Sequence, residues 1–461
     1  MKENKLYVLE NMPVPRAIMH LAIPSVLSMM VNILYNLTDT FFIGKLNDPY
    51  QVAAVSIAMP LFIMQMAMAG IFGIGGGSYL SRLLGRKDMD SAKNTLVTSV
   101  ITSALLSIVL GVLGIIFIPA FISLVGASGE TMHHARDYML YILIGSPVVL
   151  LKFTLVQLLR AEGAAKEAMI GLFIGTGMNI LLDPLFIFGF GMGVTGAAVA
   201  TVLGNGCGML YYLQFYLRKK SLVPLSFKNF KLRWNCYREI LLIGIPASLS
   251  QVMLSVGNTV SFRLASNYSD HHVASLGVAS RVFTIPIFIF IGISIGIQAL
   301  IGYNYGAKNY ARMKETIRTS VLISLCLSAA LTLLFALIPR QLIMVFIKDA
   351  EIVSIGTMIL EAYVYAIPIA AVGMIMMTSL QAMGKAFPAL IVSLSRQGIM
   401  YIPAILILDK LFAFNGLVFA MPLADLLTTI LSSVLLIYIL NKLKCSEAKI
   451  AMAEAQPQPN R

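Results

Sequence analysis

The sequence predicts an all-α membrane protein in which twelve transmembrane helices form two pseudo-symmetric bundles of six. Three observations carry this prediction: an apolar composition, twelve long apolar segments, and a repeat between the two halves of the chain. The 461 residues are 58% hydrophobic and only 12% charged. Soluble globular domains carry roughly 25% charged residues. The composition therefore excludes a soluble domain, a disordered chain and a coiled coil.

Each apolar segment is long enough to cross a bilayer, which takes about 20 residues of helix. Backbone groups in hydrocarbon must be paired within the segment, so the spans are predicted to be helices. The predicted spans cover residues 17–43, 52–80, 95–118, 138–159, 168–190 and 195–217 in the first half, and 239–264, 273–301, 317–339, 354–380, 387–408 and 414–441 in the second.

The two halves repeat at an offset of about 221 residues, and four pairs of segments match in the same order. Because each half has an even number of spans, both copies have the same orientation. The symmetry axis is therefore expected along the membrane normal, with a path between the halves. The matching segments are AIPSVLS (22–28) with GIPASLS (244–250), VAAVSIA (52–58) with VASLGVA (273–279), LLGRKD (83–88) with NYGAKN (304–309), and EGAAKEAMI (162–170) with MGKAFPALI (383–391).

The repeat divides the chain into two lobes and two polar segments. The N-lobe is residues 1–217, with spans one to six, and the C-lobe is residues 239–445, with spans seven to twelve. Residues 218–238 are the predicted cytoplasmic linker, because this joint is rich in Lys and Arg. Residues 446–461 are expected to be a disordered cytoplasmic tail that ends in QPQPNR.

The net charge of +13 is explained by topology rather than by a nucleic-acid partner. With the N-terminus inside, the inner segments carry about 25 Lys and Arg and the outer loops about 5, which follows the positive-inside rule. We therefore expect a multi-pass protein of the cell membrane with both termini in the cytoplasm. The bilayer itself is then its main partner.

Two acidic residues inside predicted spans of the N-lobe indicate a coupling site, since charges in the bilayer are costly and mark function by default. Asp39, Asp183 and Thr201 lie about 8–10 Å from the outer ends of their spans, at a rise of 1.5 Å per residue. Asn179 is on the same helix face as Asp183. These four side chains offer the hard oxygen donors that a small cation prefers. Pro184 removes an N–H from the helix, so it is the predicted hinge.

This cluster could hold either a proton or Na⁺, because two neighbouring carboxylates cannot both ionise at low cost. The alternative is a buried hydrogen-bond network that only kinks the helices. At the repeat offset, Asp39, Asn179 and Asp183 correspond to Ser261, Met400 and Ala404, so the second copy lacks the acids. We therefore expect one coupling site, in the N-lobe.

Several stretches resemble the multidrug and toxic compound extrusion (MATE) transporters, in particular their MepA-like and DinF-like bacterial branches. The stretches are NLTDTFFIGKL (36–46), LSRLLGRKD (80–88) and NILLDPLFIFGFGMGVTGAAVATVLG (179–204), and the resemblance covers nearly the whole chain. It implies an antiporter that imports H⁺ or Na⁺ and exports amphipathic, often cationic drugs or toxic metabolites. It also implies two six-helix lobes around a V-shaped cleft that faces each side in turn.

The resemblance carries over to individual residues of the N-lobe. In this chain, the residues that match the family's cation site are Asp39, Asn179, Asp183 and Thr201, and Tyr138 matches a neighbouring tyrosine. It further implies a monomer with small amphipathic organic substrates and no cofactor beyond the coupling ion. No HExxH, GxSxG or paired catalytic Asp motif is present, so an enzyme is not expected.

Four other charged residues within spans have open interpretations. Asp425, the C-lobe acid, could couple ions or make a helix–helix hydrogen bond. Lys152 is too deep to reach the headgroups easily, so it could pair with a carboxylate or face the cleft. Arg281 and Arg396, which we place near the inner ends of spans eight and eleven, could reach lipid phosphate or close an inner gate. The rival function is a flippase or exporter of one lipid-linked or secondary metabolite.

Overall fold

A computed structural model of the protein describes residues 2–125 and 129–454. Within these ranges the chain forms helices and connecting turns. The helices are α1 (Lys2–Glu10), α2 (Val14–Gly44), α3 (Pro49–Gly85), α4 (Met89–Val125), α5 (Glu130–Ile144), α6 (Ser146–Ala161), α7 (Ala165–Pro184), α8 (Gly193–Leu217), α9 (Trp234–Ala265), α10 (Asp270–Gly306), α11 (Tyr310–Leu337), α12 (Pro339–Met344), α13 (Ala350–Val364), α14 (Ala366–Ala382), α15 (Ala386–Leu394) and α16 (Tyr401–Glu454).

The described helices make twelve passes, as the sequence predicts. Nine helical segments are long and apolar enough to cross a membrane, and two bent pairs of helices bring the number to eleven. The last of the nine segments, Ala386–Cys445, has 60 residues, which is enough for two passes. Ala413 breaks it with a φ of 52°, and a Cβ at Gly416 would overlap the carbonyl oxygen of Leu408. The chain therefore doubles back at Ala413, which yields the twelfth pass.

Spans four and ten are bent at matching positions in the two lobes. Helices α5 and α6 meet at 52° and helices α13 and α14 meet at 46°. A proline follows each break, Pro147 in the first copy and Pro368 in the second. Proline lacks the N–H needed to continue the hydrogen-bond ladder. The sequence repeat therefore places a helix break at the same position in both lobes. The predicted spans were drawn without these breaks.

The two lobes meet through close helix contacts at glycines. A Cβ at Gly85 of α3 would overlap the Tyr303 carbonyl oxygen of α10, and a Cβ at Gly306 would overlap the Arg82 carbonyl oxygen. The second contact is the first one shifted by the repeat offset. Small residues allow helix backbones to approach this closely. The reciprocal pair therefore places the pseudo-symmetry axis between α3 and α10.

A second symmetric pair of contacts lies further along the same helices. Gly75 of α3 lies against Ile240 and Gly244 of α9, and Gly296 of α10 lies against Ala22 of α2. Gly75 and Gly296 are related by the repeat offset. Each lobe thus presents a glycine face of its second span to the first span of the other lobe.

These contacts lie toward one end of the bundle, which we call the basic end. It carries α1, the turns at 86–88, 162–164, 307–309 and 383–385, and the 218–233 linker. Arg82 Nη1 donates to Glu239 Oε2 across the lobes there at 2.9 Å, and Ser78 Oγ donates to the Gln381 carbonyl at 2.6 Å. The lobes are therefore closed against each other at the basic end.

The other end of α2 is less covered. No residue of α2 between Met29 and Ile43 is buried. The lobe contacts of α2 at Ala22 and Val26 both precede this stretch. The arrangement matches a cleft that opens away from the basic end.

Helix α1 crosses the basic end and touches both lobes. Lys5 Nζ donates to the Lys220 carbonyl at 3.2 Å beside the N-lobe. Glu10 accepts a hydrogen bond from the Tyr303 hydroxyl of the C-lobe. Leu9, between them, is fully buried. Helix α1 therefore ties the two lobes together in this conformation.

The linker is tied to the N-lobe by a buried carboxyl in the turn between α6 and α7. Glu162 is fully buried and accepts hydrogen bonds from Ser221 Oγ, the Leu222 N–H and the Tyr216 hydroxyl. Burial raises the pKa of the Glu162 carboxyl to about 7, and its hydrogen bonds and Lys5 offset part of that rise. The start of the linker is thus fixed to the lobe before it.

The C-terminal segment is partly helical, which corrects the predicted disorder of residues 446–461. Helix α16 continues to Glu454. This segment is rich in Ala, Glu, Lys and Met, which have high helix propensity. The rest of the predicted tail, 455–461, lies outside the described residues.

A bulky side chain at Gly85 should separate the lobes at the basic end. We expect Gly85→Val to increase severalfold the maleimide reactivity of Ser81→Cys, because Ser81 is buried at the contact with Gly302. The four native cysteines are replaced by alanine in this background. Gly177→Val is the control, since a Cβ there meets nothing within 4 Å. Equal reactivity in both variants would contradict the expected separation.

Replacing Glu162 by Gln should flatten the pH dependence of stability. The pKa of this carboxyl is raised in the native protein, from 4.5 to about 7. Its contribution to stability is therefore fully present below pH 4.5 and lost as the pH rises through about 7. The apparent Tm, measured in detergent from pH 5 to 8, should fall less in Glu162→Gln than in the wild type. Glu315→Gln, at an exposed position, should follow the wild type.

Candidate functional site

Three of the predicted cation-site residues form a buried group between α7 and α8. Asn179 Nδ2 donates to Asp183 Oδ1 at 3.2 Å and to Thr201 Oγ1 at 3.5 Å. Asp183 is fully buried, and Asn179 and Thr201 nearly so. The structure therefore brings together the two spans that the sequence placed at equal depth.

Close packing of α7 on α8 brings these side chains within reach of each other. A Cβ at Gly204 would lie 2.7 Å from the Gly175 carbonyl oxygen and 3.1 Å from the Asn179 backbone nitrogen. Gly204 is one turn from Thr201 on the same helix. Any larger residue at position 204 would push Asn179 away from Thr201.

Helix α2 completes the site with Asp39 and with Tyr35, one turn before it. The Tyr35 hydroxyl lies 3.3 Å from Thr201 Oγ1, at hydrogen-bond distance. Asp39 is partly exposed, and its negative charge acts on Asp183. Hydrogen bonds thus join Asn179, Asp183 and Thr201, and Asp39 lies within electrostatic reach of Asp183. We call these four predicted residues the acid cluster: Asp39, Asn179, Asp183 and Thr201.

Tyr138 of α5 is also beside the acid cluster, as the sequence predicts. Its side chain packs near Ile43 of α2, Ile187 of the segment between α7 and α8, and Ala197 of α8. Its hydroxyl is within electrostatic reach of Asp39 and other members of the group. Tyr35 and Tyr138 thus border the acidic side chains with aromatic rings whose hydroxyl groups can donate hydrogen bonds.

Two buried oxygens of the acid cluster have no hydrogen-bond partner among the described residues: Asp183 Oδ2 and Asn179 Oδ1. A buried polar atom without a partner is costly. A proton on the carboxylate would reduce this cost, and so would a small cation bound to both oxygens. The donors present, carboxylate, amide and hydroxyl oxygens, fit a hard ion such as Na⁺.

The chain changes its helical form directly after Asp183. Pro184 ends the α-helical part of α7, and Leu185–Gly189 forms a single π-helical turn. A π-turn inside a helix leaves a local irregularity in the hydrogen-bond ladder and often marks a functional site. The predicted hinge at Pro184 is therefore located at a real irregularity, one residue from the buried acid.

Lys152 of α6 is connected to the acid cluster indirectly, through hydrogen bonds of Asn205. Lys152 Nζ donates to Asn205 Oδ1 at 2.8 Å, and Asn205 Nδ2 donates to the Thr201 carbonyl at 2.7 Å. The sequence left two alternatives for Lys152, and one of them, pairing with a carboxylate, is wrong. No ion pair involves Lys152 in the described part of the chain. The partner is a neutral amide.

In the C-lobe, Arg396 and Asp425 form a buried ion pair. Arg396 Nε lies 2.8 Å from Asp425 Oδ1, with 19% and 4% of the two side chains exposed. Arg396 therefore pairs with a carboxylate inside the lobe rather than with lipid phosphate, and its role in an inner gate stays a prediction. Asp425 makes the helix–helix contact that was one of its two predicted roles.

Arg281 is nearer the other end of its helix than the sequence interpretation placed it. Helix α10 runs from Asp270 to Gly306 at the basic end, so Arg281 is in the third of the helix away from that end. Its side chain is exposed. The predicted position of Arg281 near the inner end of span eight is therefore wrong, and so is an inner gate there. Successive spans alternate in direction, so α10 begins at the end of the bundle opposite the basic end.

Sequence reasoning missed Tyr35 and Asn205 as members of the network. Tyr35 precedes Asp39 by four residues, and Asn205 follows Thr201 by four residues. Residues at this spacing share a helix face. The periodicity could therefore have identified both, although only the packing shows which partners they reach.

Comparisons with known proteins agree with this architecture. The MatE family model matches residues 24–185 and 246–407, once in each lobe. The multidrug export protein MepA of Staphylococcus haemolyticus (strain JCSC1435) is 31% identical over 455 residues, covering 98% of this chain and all of the relative.

Two solved structures resemble the whole chain. A crystal structure of MATE in complex with MaL6 matches with a TM-score of 0.91 at 25% identity, covering 95% of this chain and 98% of the other. An outward-facing multidrug resistance MATE family transporter of the MOP superfamily matches with a TM-score of 0.88 at 27% identity, with the same coverage. With a full-length relative and a family match in each lobe, the chain belongs to the MatE family of membrane transporters and is not an enzyme.

Proposed function

We propose that this protein is an antiporter that exports small amphipathic compounds in exchange for H⁺ or Na⁺. The observation that carries the proposal is the pair of buried oxygens, Asp183 Oδ2 and Asn179 Oδ1, which have no hydrogen-bond partner in the described part of the chain. An ion or proton bound there removes an energetic cost that the folded protein otherwise bears. The acid cluster is therefore the coupling site.

The exchange works by alternating access of the cleft between the lobes. In the present conformation the basic end is closed by glycine contacts and by the Arg82–Glu239 ion pair. Binding of the ion at Asp183 changes the charge next to the π-turn after Pro184. A bend at that turn moves α7 against α8 and loosens the substrate, which leaves toward the open side.

The substrate class follows from the relatives and from the site. The similar Staphylococcus protein is named as a multidrug exporter. Here the acid cluster offers negative charge beside the rings of Tyr35 and Tyr138, a combination that attracts amphipathic cations. Such a site selects substrates by positive charge and apolar surface rather than by one molecular shape. It can therefore bind several different compounds.

We also propose that the basic end faces the cytoplasm of a cell membrane. Helix α1, the linker, the basic-end turns and the helix ends that flank them together carry most of the Lys and Arg residues. Large exposed apolar side chains on α4, α8 and α16 suit contact with lipid, for example Leu105, Leu210 and Ile430. One chain contains both lobes and the cleft, so we expect it to work as a monomer.

Asp183→Asn should abolish ion-coupled export. Asn preserves the size of the side chain but cannot exchange a proton and holds Na⁺ poorly, because it carries no charge. Proteoliposomes with an ethidium-type dye as reporter, tested separately with a proton gradient and a Na⁺ gradient, measure the loss and also identify the ion.

The control for this variant is Asp90→Asn, because 92% of the Asp90 side chain is exposed at the basic end. It should retain wild-type flux. Coupled flux of wild-type size in Asp183→Asn would exclude Asp183 from the coupling site and contradict the proposed mechanism.

Cysteine labelling should show the orientation. In a background without native cysteines, Asn47→Cys in the turn after α2 should react with an impermeant maleimide in intact cells. Lys228→Cys in the linker should react only after the membrane is opened, because the linker is cytoplasmic. The reverse pattern would overturn the proposed orientation.

A further inference from the structure

The linker exposes basic and large apolar side chains side by side at the basic end. In its segment 227–234, which we call the linker strip, 65% of Phe227, 80% of Leu232 and 72% of Trp234 are exposed. Basic residues interleaved with exposed apolar residues are typical of a segment that lies on an anionic membrane surface. Residues 218–238 contain no Asp or Glu and seven basic residues: Arg218, Lys219, Lys220, Lys228, Lys231, Arg233 and Arg238.

The linker strip lies at the rim of the bundle and at the depth of the lipid headgroups. The Lys231 N–H donates to Asn94 Oδ1 of α4 at 2.7 Å, and α4 exposes apolar side chains such as Leu105. Trp234 precedes the predicted start of span seven, residue 239, by about 7.5 Å of helix. The polar layer of a bilayer adds about 5–8 Å beyond each face of the hydrocarbon core, and tryptophan is enriched there.

A cavity of about 420 Å³ opens beside the linker strip, between the two lobes. Its N-lobe wall is formed by α3 and α4 and includes Tyr79, Ser91 and Asn94. Its other wall is the chain at the start of α9, from Arg233 to Cys236. A cavity of this volume accommodates a small polar group, and a group bound there touches both lobes.

In the other half of the chain, an arginine fills the equivalent space. At the repeat offset of about 221 residues, Ser91 corresponds to Arg312. The Arg312 guanidinium donates to the main-chain carbonyls of Val8, Leu9 and Met12, where the chain enters α2. The shorter side chain of Ser91 leaves the corresponding space before α9 open. The same scaffold is therefore filled in one copy and open in the other.

The basic side chains of the linker strip are available to an anion. Among residues 2–125 and 129–454, no ion pair involves Lys228, Lys231 or Arg233. The acids nearby have other partners. Asp88 accepts a hydrogen bond from the Ser91 N–H at 3.0 Å, and Glu239 is paired across the lobes. The open cavity therefore has a cation, Arg233, on its wall.

We propose that this cavity binds the headgroup of an anionic phospholipid, with the lipid phosphate at Arg233 and the linker strip in the headgroup layer. A guanidinium group suits phosphate, because it offers several N–H donors in one plane. The lysines of the strip attract the anionic leaflet, and its exposed apolar side chains insert among the lipids. The bound lipid touches α4 of the N-lobe and α9 of the C-lobe. This site is independent of the exported compound, the coupling ion and the side of the membrane that the basic end faces.

Trp234 is the only tryptophan of the chain, so its fluorescence reports which lipids lie beside the cavity. The full-length protein is reconstituted in phosphatidylcholine vesicles with a small fraction of lipid that carries a nitroxide near the glycerol end of one acyl chain. The labelled lipid is either anionic phosphatidylglycerol or phosphatidylcholine, which has no net charge. The relative binding constant from quenching should favour phosphatidylglycerol about fivefold, the scale of one basic residue at an anionic surface.

Two substitutions test the cavity, and a third is the control. Arg233→Gln removes the phosphate ligand and should remove most of the preference for phosphatidylglycerol. Ser91→Leu fills the cavity without changing the charge and should have the same effect. Arg318→Gln removes an exposed arginine of α11, which is the repeat counterpart of α4 and lies on the other side of the pseudo-symmetry axis. This control should keep the wild-type preference.

Three results would overturn the proposal. The first is equal quenching by the two labelled lipids in the wild type. The second is full preference for phosphatidylglycerol in Arg233→Gln or in Ser91→Leu. The third is an equal loss in Arg233→Gln and Arg318→Gln, which would assign the preference to the net charge of the basic end rather than to the cavity. No ion gradient is applied, so these outcomes are separate from those of the Asp183→Asn transport experiment.

Discussion

The N-lobe is organised around the cost of burying Asp183. A charge at the centre of a bilayer costs about 2.5–3.5 kcal/mol on insertion scales. This carboxyl is fully buried, and one of its oxygens has no partner among the residues that the structure describes. The Asn179 amide partly compensates by donating to Asp183 Oδ1; it also donates to Thr201 Oγ1, and close packing at Gly204 brings α7 and α8 together. The remaining cost favours protonation or ion binding, and the proposed coupling depends on it.

The same principle of close helix approach holds the lobes together. Gly85 and Gly306 form reciprocal contacts across the pseudo-symmetry axis, and Gly75 and Gly296 form a second pair. At these contacts backbone lies against backbone, with no interlocked long side chains. The two lobes can therefore separate there as rigid bodies. Helix α1 and the Arg82–Glu239 pair add polar contacts at the basic end that water can replace. Opening there is therefore compatible with intact lobes.

Duplication has given the two lobes one scaffold and two different interiors. The bends at Gly145 and Tyr365 are retained in both copies. The charged residues are not: the N-lobe has the acid cluster and Lys152, whereas the C-lobe has the self-neutralised Arg396–Asp425 pair. Under the proposed function, this asymmetry places ion coupling in the N-lobe, and the C-lobe is its structural counterpart.

The apolar segments and the few acids within them were enough to predict the twelve spans, the repeat and the members of the acid cluster. Hydrocarbon forces apolar segments into helices, and buried acids are conspicuous in an apolar chain. The partners of the charged side chains, in contrast, follow from helix packing and were not predicted. Lys152 reaches Asn205 and Arg396 reaches Asp425 through contacts between different helices. The direction in which each side chain points depends on how the helices rotate and pack, which a one-dimensional pattern does not specify.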